Sequence, residues 1–149
     1  MTTIVVTGAG SKTKADNLVH ACRYYLRKLG FRQRRRDVEI SITLCSKQVE
    51  DGLCDFNDDF TNPEINITIK KSLSEEERLR TLAHEITHAK QFLRRELKFR
   101  EHKTFWKGQP SDQEEWEDEA YIMEEQLYNE YMNERTDQRT GHHSIQHIS

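Results

Sequence analysis

Two segments of the chain alternate between apolar and polar residues, a period of two that is typical of strands with one buried face. Their apolar residues are Val38, Ile40, Ile42 and Leu44 in the first segment, and Ile65, Ile67 and Ile69 in the second. Shorter apolar runs at residues 4–6 and 53–56 predict two further strands, and the polar segment NDDFTNP at residues 57–63 predicts a loop. The chain is therefore expected to contain a small mixed sheet of three or four strands.

The helical spacing of other apolar residues predicts two helices, one after the first strand and one after the last. The first is expected to be capped by Thr13 and Asp16, to end at Gly30 and to pack on the sheet. Ser74 and Glu77 have the spacing of a capping box, which predicts the start of a second helix that continues to about residue 97.

A third helix is expected to close the domain. Ser111 and Glu114 again have capping-box spacing, and the helical pattern continues to about Asn133. Residues 136–149 are polar and are predicted to be a disordered tail, where three histidines occur at positions 142, 143 and 147. We therefore interpret residues 1–135 as one α+β domain, with an N-terminal helix packed on a small mixed sheet, a middle helix and a C-terminal helix.

Composition and charge narrow the class of protein. The length of 149 residues fits one domain, and 34% hydrophobic against 33% charged residues leaves a small core. A net charge of -3 does not favour a protein that coats nucleic acid, although basic runs at residues 32–36 and 94–107 keep a nucleic-acid partner as an alternative. The sequence has no basic leader and no apolar run of membrane-spanning length, which favours a cytoplasmic protein without a membrane partner.

The stretch TLAHEITHAKQ at residues 81–91 lies within the second predicted helix. A spacing of four residues places His84 and His88 on one face of a helix, at a separation that one zinc ion can bridge. The apolar side of the helix lies roughly opposite, so these histidines are not expected to be core residues. The HExxH pattern therefore predicts one Zn²⁺ ion with His84 and His88 as ligands, and Glu85 facing its open side.

A catalytic zinc site usually has three protein ligands and one open position. The metzincin pattern is excluded, because Gln91 and Arg94 stand where that class requires Gly and His. Three other residues are candidates for the third ligand, namely His102, and Glu117 and Glu119 from the acidic cluster EEWEDEAY at residues 114–121. The residues themselves leave this choice open.

Four motifs in order resemble small phage- and virus-type HExxH metallopeptidases of the gluzincin kind. They are TLAHEITHAKQF, REL at residues 95–97, WKG at residues 106–108 and WEDEAY at residues 116–121, and the resemblance covers residues 74–127. It implies that Glu117, followed three residues later by the small Ala120, is the third zinc ligand. Tyr121 departs from the pattern, because many relatives have there an Asp or Asn that orients a ligand histidine. The segment HKTFWK also resembles SprT-like proteases, in which a histidine such as His102 is the third ligand.

The resemblance implies a zinc metallopeptidase that acts on a peptide or protein substrate. Glu85 is then the general base, which takes a proton from the attacking water and passes it to the leaving amine. Tyr121, Tyr128 and His102 are the candidate donors to the oxyanion. In folds of this kind an edge strand lies above the active-site helix, and the strand at residues 65–69 is expected to lie beside the cleft, where a peptide can pair with the edge through its main chain.

The competing interpretation is a SprT-like protease or a catalytically silent zinc-binding regulatory protein of a phage or virus, associated with DNA. A phage or viral protein would act in the cytoplasm of the host cell. The presence of Glu85 favours a catalytic site over a structural one, because a structural zinc site has no need of this carboxylate and usually has four protein ligands.

Overall fold

The amino-terminal half of the chain forms a mixed four-stranded sheet. The computed structural model describes residues 2–30, 37–57 and 63–148, with side chains described up to residue 136. The strands are β1 (Thr2–Thr7), β2 (Val38–Cys45), β3 (Gly52–Asn57) and β4 (Glu64–Lys70). Their order is β1-β2-β4-β3, with β1, β2 and β4 parallel and β3 antiparallel to β4. The basic run at residues 32–36 and most of the predicted loop at 57–63 lie outside the described residues.

One face of this sheet is buried, as the alternation of the sequence predicts. Ile40 and Ile67 are at most 1% exposed, whereas Glu39 and Asn66 on the opposite face are exposed. Helix α1 (Lys12–Lys28) packs on β1, and helix α2 (Glu75–Leu93) packs on β3 and β4. Helix α3 (Glu115–Ile148) packs on both helices and adds Leu127 to the core. The three helices and the mixed sheet of the described residues confirm the predicted α+β fold.

Helix α1 begins earlier than the sequence predicts. Its N-cap is Ser11, whose backbone is extended and whose hydroxyl accepts a hydrogen bond from the backbone N–H of Lys14 at 3.2 Å. Thr13 and Asp16 lie inside the helix, so their predicted capping role is wrong. The predicted end is confirmed, because Gly30 follows the C-cap with a φ of 73° and donates its N–H to the carbonyl of Arg27.

The capping box that opens α2 is confirmed, because Ser74 and Glu77 exchange side-chain to backbone hydrogen bonds. The helix ends at Leu93 rather than near residue 97. Arg95 adopts a φ of 58°, and the N–H of Glu96 bonds the carbonyl of Gln91 at 2.9 Å, which is the pattern of a Schellman motif. An arginine in the left-handed conformation gives no sequence signal of a helix end.

A small three-stranded sheet follows α2 and was not anticipated by the sequence patterns. It comprises β5 (Leu97–Arg100), β6 (Lys103–Trp106) and β7 (Gln109–Pro110), all antiparallel. Glu101 and His102, which join β5 to β6, both have positive φ values of 52° and 63°. Such turns usually contain Gly or Asn, and their absence here explains why the hairpin is hard to recognise.

Helix α3 differs from the prediction at both ends. Ser111 and Glu114 form no capping box, since the hydroxyl of Ser111 bonds Glu115 at 2.8 Å and Glu114 has a φ of 53°. The backbone stays helical to Ile148, well past the predicted end near Asn133. The side chains of the three tail histidines lie outside the described set, and the domain boundary at residue 135 stays a prediction. Within the described residues, no helix is both long and apolar enough to cross a membrane.

Candidate metal centre

A groove of about 570 Å³ crosses the HExxH helix between β3 and α3, and is called the metal groove below. Its floor is α2, which contributes His84 and Glu85. Residues 49–52 at the start of β3 form one wall, and α3 forms the other with Glu117 and Tyr121. Residues that are distant in sequence therefore line one site.

The two histidines of the motif converge on one carboxylate. Their ring centroids lie 4.9 Å apart, and each side chain is only 12% exposed. Nε2 of His84 lies 3.2 Å from Oε1 of Glu117, and Nε2 of His88 contacts the same oxygen. The potential ligand atoms of His84, Glu85 and His88 also lie within 4.8 Å of one another. Two nitrogens and one oxygen are thus directed at a common point.

The other ring nitrogens fix the tautomers of these histidines. Nδ1 of His84 lies 3.1 Å from Oε1 of Glu124, and Nδ1 of His88 lies 2.8 Å from Oε1 of Gln91. The amide of Gln91 has only one satisfactory orientation, because its Nε2 donates to the carbonyl of Trp116 at 2.9 Å. Each Nδ1 is therefore a donor, and a neutral ring then has its lone pair on Nε2, the atom that faces Glu117.

The two Nε2 atoms and the oxygen of Glu117 are suitable ligand atoms for a divalent metal ion. Two imidazole lone pairs and a carboxylate oxygen repel one another when they face each other without a cation or a proton between them. A ligand histidine that donates its other N–H to a carboxylate or carbonyl is also the usual arrangement around zinc. In addition, Oε2 of Glu85 is buried without a hydrogen-bond partner in the described part of the chain. A metal ion with its water would supply the missing partners.

Glu85 lies beneath the edge strand and is 5% exposed. Burial, followed by the charges of Glu117, Glu50 and Glu124, raises the pKa of its carboxyl to about 8 in the metal-free site. The strand approaches closely because residue 52 is glycine. A Cβ at Gly52 would lie 2.5 Å from Cγ2 of Thr81 and 3.1 Å from Cγ of Glu85.

The other two candidates for the third ligand occupy different environments. Oε1 of Glu119 accepts hydrogen bonds from Lys90 at 2.8 Å and Gln91 at 3.1 Å. Burial raises the pKa of Glu119, but these hydrogen bonds outweigh it and the net pKa is lowered. His102 lies on the exposed turn between β5 and β6 and does not line the metal groove. Of the three candidates, Glu117 is the one that meets both histidines.

The candidates for the oxyanion donor are likewise separated by the fold. Tyr121 lines the metal groove, and its ring centroid lies 4.7 Å from that of His84. Tyr128 is buried, and the guanidinium of Arg80 lies 4.3 Å from the centroid of its ring. Of the two tyrosines, Tyr121 is therefore the one that lines the metal groove.

The strand expected beside the cleft is not the edge strand. β4 is hydrogen-bonded to β2 on one side and to β3 on the other, so it has no free edge for a peptide. The edge next to α2 is β3, which passes over Glu85 at Gly52. The expectation is wrong because it relied on the short connection between β4 and α2, whereas sheet order depends on pairing.

Three residues of the site were not predicted from the sequence patterns. Gln91 and Glu124 orient the histidines, and Gly52 allows the close approach of β3. Gln91 follows His88 by three residues on one helix, a spacing that places neighbouring side chains in contact and that could have identified it. Glu124 and Gly52 come from separate elements, and only the fold brings them to the site.

The fold and the site together define a small α+β domain with a candidate metal centre on its HExxH helix. The family model of the IrrE N-terminal-like domain, Peptidase_M78, matches residues 35–141. The chain belongs to this family, since the match spans most of its length. The family and the His-Glu-His cluster together place the chain in a metallopeptidase-like class. No curated protein and no solved structure gave a significant match. The narrower resemblance to phage-type or SprT-like proteases stays a prediction.

Proposed function

We propose that this protein is a zinc-dependent metallopeptidase in which His84, His88 and Glu117 hold one zinc ion and Glu85 is the general base. The observation that carries the proposal is the convergence of both histidine Nε2 atoms on Oε1 of Glu117. Membership of the Peptidase_M78 family supports the same class of activity. The third ligand is then a glutamate from a later helix, as in gluzincins.

Bound in this centre, zinc would act as a Lewis acid that activates water and polarises the peptide carbonyl. Glu85 accepts a proton from the attacking water and transfers it to the leaving nitrogen as the C–N bond breaks. Its burial beneath Gly52 keeps bulk water from competing for that proton. Tyr121 is the donor that we assign to the developing oxyanion, because its ring lies against His84 at the edge of the groove.

The substrate is proposed to bind as an extended peptide along β3. Within the described residues one edge of this strand is unpaired, and an added strand would lie directly over the floor of the metal groove. Main-chain pairing would hold the scissile bond above Glu85 with little dependence on the substrate side chains at that point.

Zinc content per chain tests the ligand set. We expect about one zinc per wild-type chain and loss of zinc in Glu117→Ala, with His102→Ala as the control that retains it. Glu119→Ala is less informative, because Glu119 also holds Lys90 and Gln91 in place. Absence of zinc from the wild type, or full retention in Glu117→Ala, would contradict the proposed centre.

Cleavage of casein and of a peptide library tests the chemistry, with Glu85→Gln as the decisive variant. We expect this variant to keep zinc and to lose activity by at least about a hundredfold, the usual contribution of a general base. Tyr121→Phe is expected to reduce kcat by about tenfold to a hundredfold. Equal cleavage by the wild type and Glu85→Gln would exclude the mechanism. A zinc-loaded wild type that cleaves nothing but forms a salt-sensitive DNA complex would favour a regulatory protein.

A further inference from the structure

A second groove of about 590 Å³ lies beside the same edge strand and is called the basic groove below. It is lined by residues 54–56 of β3, which include the carboxylate of Asp55, by Phe92 and Arg95 at the end of α2, and by residues 97–100 of β5. The metalloprotease chemistry proposed above does not use any of these side chains. The groove therefore requires an explanation of its own.

The basic groove continues the metal groove along β3. Gly52, at the start of the strand, lies over Glu85, and Phe56 follows four residues later in the same strand. On α2, Phe92 follows His88 by one helical turn. A peptide that pairs with β3 above the zinc ligands would thus place the residues on one side of its scissile bond in the basic groove.

Three phenylalanine rings form the apolar part of the basic groove. The rings of Phe56 and Phe92 are stacked with centroids 5.3 Å apart, and Phe99 lies 6.0 Å from Phe92. Phe99 is 65% exposed and adjoins the two stacked rings, so the exposed apolar surface is contiguous. An apolar side chain of a ligand could cover this ring.

The basic groove has three cationic side chains against one carboxylate, Asp55, whereas the metal groove has several carboxylates against one cation, Arg80. Arg95, Lys98 and Arg100 surround the aromatic rings, are exposed, and have no ion pair within the described ranges. The metal groove is instead rich in carboxylates, contributed by Glu50, Asp51, Glu77, Glu117 and Glu124 among others. A ligand that lies along β3 therefore meets a positive field at one end and a negative field at the other.

We infer that the basic groove selects substrates in which a large apolar residue is flanked by carboxylates on one side of the cleaved bond. The inference rests on the proposed function, because it assigns the substrate class of that same site. Charge complementarity with Arg95, Lys98 and Arg100 favours an acidic peptide segment, and the phenylalanine cluster receives its apolar side chain. The adjoining carboxylates of the metal groove disfavour a nucleic acid, whose phosphates they would repel.

The test measures binding separately from cleavage. Three fluorescein-labelled peptides of twelve residues are compared, and all three have the same neutral half. The other half of each peptide contains one phenylalanine flanked by four identical residues, which are Glu in the first peptide, Gln in the second and Lys in the third. Zinc-loaded Glu85→Gln protein is titrated with each peptide, so that no cleavage disturbs the anisotropy signal. We expect the Glu peptide to bind about tenfold tighter than the Gln peptide at low salt, since each exposed ion pair contributes modestly, and the difference to shrink at high salt.

Matched variants test whether the preference for the Glu peptide arises in the basic groove. Lys98→Glu is expected to abolish the preference for the Glu peptide, whereas Lys12→Glu makes the same charge change at an exposed position of α1 outside the groove and should preserve it. Phe99→Ala should weaken the Glu and Gln peptides by a similar factor of about five to ten. Ile122→Ala removes an equally exposed apolar side chain from α3 and should have no effect.

The possible results separate this inference from the proposed function. Zinc-dependent cleavage combined with equal affinity for all three peptides would overturn the inference and leave the peptidase intact. Selective binding of the Glu peptide without zinc or cleavage would support the groove and contradict the peptidase. Tighter binding of a twelve-nucleotide single strand than of the Glu peptide, with sensitivity to Lys98→Glu, would overturn the inference in favour of nucleic acid.

Discussion

Nδ1 of His88 lies 2.8 Å from Oε1 of Gln91, a side chain with no solvent exposure at all. The other end of the same amide donates to the carbonyl of Trp116 and to Glu119. Gln91 therefore holds one proposed ligand of α2 against α3, the helix that supplies Glu117. One amide thus contributes both to the orientation of the histidine and to the contact between the two helices.

Replacing Gln91 with methionine should weaken zinc binding by about tenfold to a hundredfold, the usual cost of losing a partner of a ligand histidine. Methionine keeps the volume but cannot accept the proton of His88. Competition with a chromogenic chelator measures the affinity. Gln126→Met, on the exposed side of α3, is the control. Unchanged zinc affinity in a folded Gln91→Met protein would show that His88 needs no such partner.

Local patterns in the sequence predicted the parts of the site that lie within one helix. His84, Glu85 and His88 share a helix whose capping box at Ser74 is also local, so spacing alone was sufficient. Gly52 and Glu124 reach the site from other elements, and no periodicity in their own segments marks them. Their roles follow from sheet order and helix packing, which local patterns do not specify.

The sequence-based expectations failed where the backbone uses residues that carry no turn signal. Arg95 directly follows the C-cap of α2, and Glu101 begins the turn of the β5–β6 hairpin, both with positive φ. Non-glycine residues adopt this conformation at a cost that the surrounding structure must offset. The segment around Arg95 consists of good helix formers, so propensity favoured a longer helix.

Gly52→Ala should disturb the site directly. The added Cβ would lie 2.5 Å from Cγ2 of Thr81 and 3.1 Å from Cγ of Glu85, so these side chains must rotate or β3 and α2 must move apart. We expect a loss of about 1–3 kcal/mol in the free energy of unfolding, as is typical of overpacking, together with reduced cleavage. Urea denaturation and peptide hydrolysis provide the measurements. Leu53→Ala, on the exposed face of the same strand, is the matched control, and equal effects of the two changes would contradict the close approach.

Lys90→Met should destabilise the end of α2. Lys90 is 7% exposed and lies 2.9 Å from Glu96 and 2.8 Å from Glu119, so its removal leaves two carboxylates in a partly buried site without their cation. Breaking a fully buried pair costs about 3–5 kcal/mol, and we expect a smaller loss here because both carboxylates are partly exposed. Chemical denaturation compares this variant with Lys103→Met, which alters an exposed strand position. A loss no larger than that of the control would mean that water satisfies both carboxylates.

Glu85 should make the metal-free protein less stable as the pH rises. Burial raises the pKa of Glu85 to about 8 in the folded chain, against an ordinary value of 4.5, so the folded state binds the proton more tightly than the unfolded state. Its contribution to stability is complete below pH 4.5 and is lost as the pH rises to about 8. The loss amounts to a few kcal/mol, because each tenfold change in proton affinity corresponds to about 1.4 kcal/mol.

Glu85→Gln removes this dependence, because glutamine does not ionise. In the presence of a chelator, urea denaturation at pH 5 and pH 9 should therefore show a larger fall in stability for the wild type than for Glu85→Gln. Glu101→Gln changes an exposed carboxyl at the tip of the β5–β6 hairpin and should follow the wild type. The same fall in Glu85→Gln and the wild type would mean that the carboxyl of Glu85 is hydrated in the folded protein, and that β3 does not shield it.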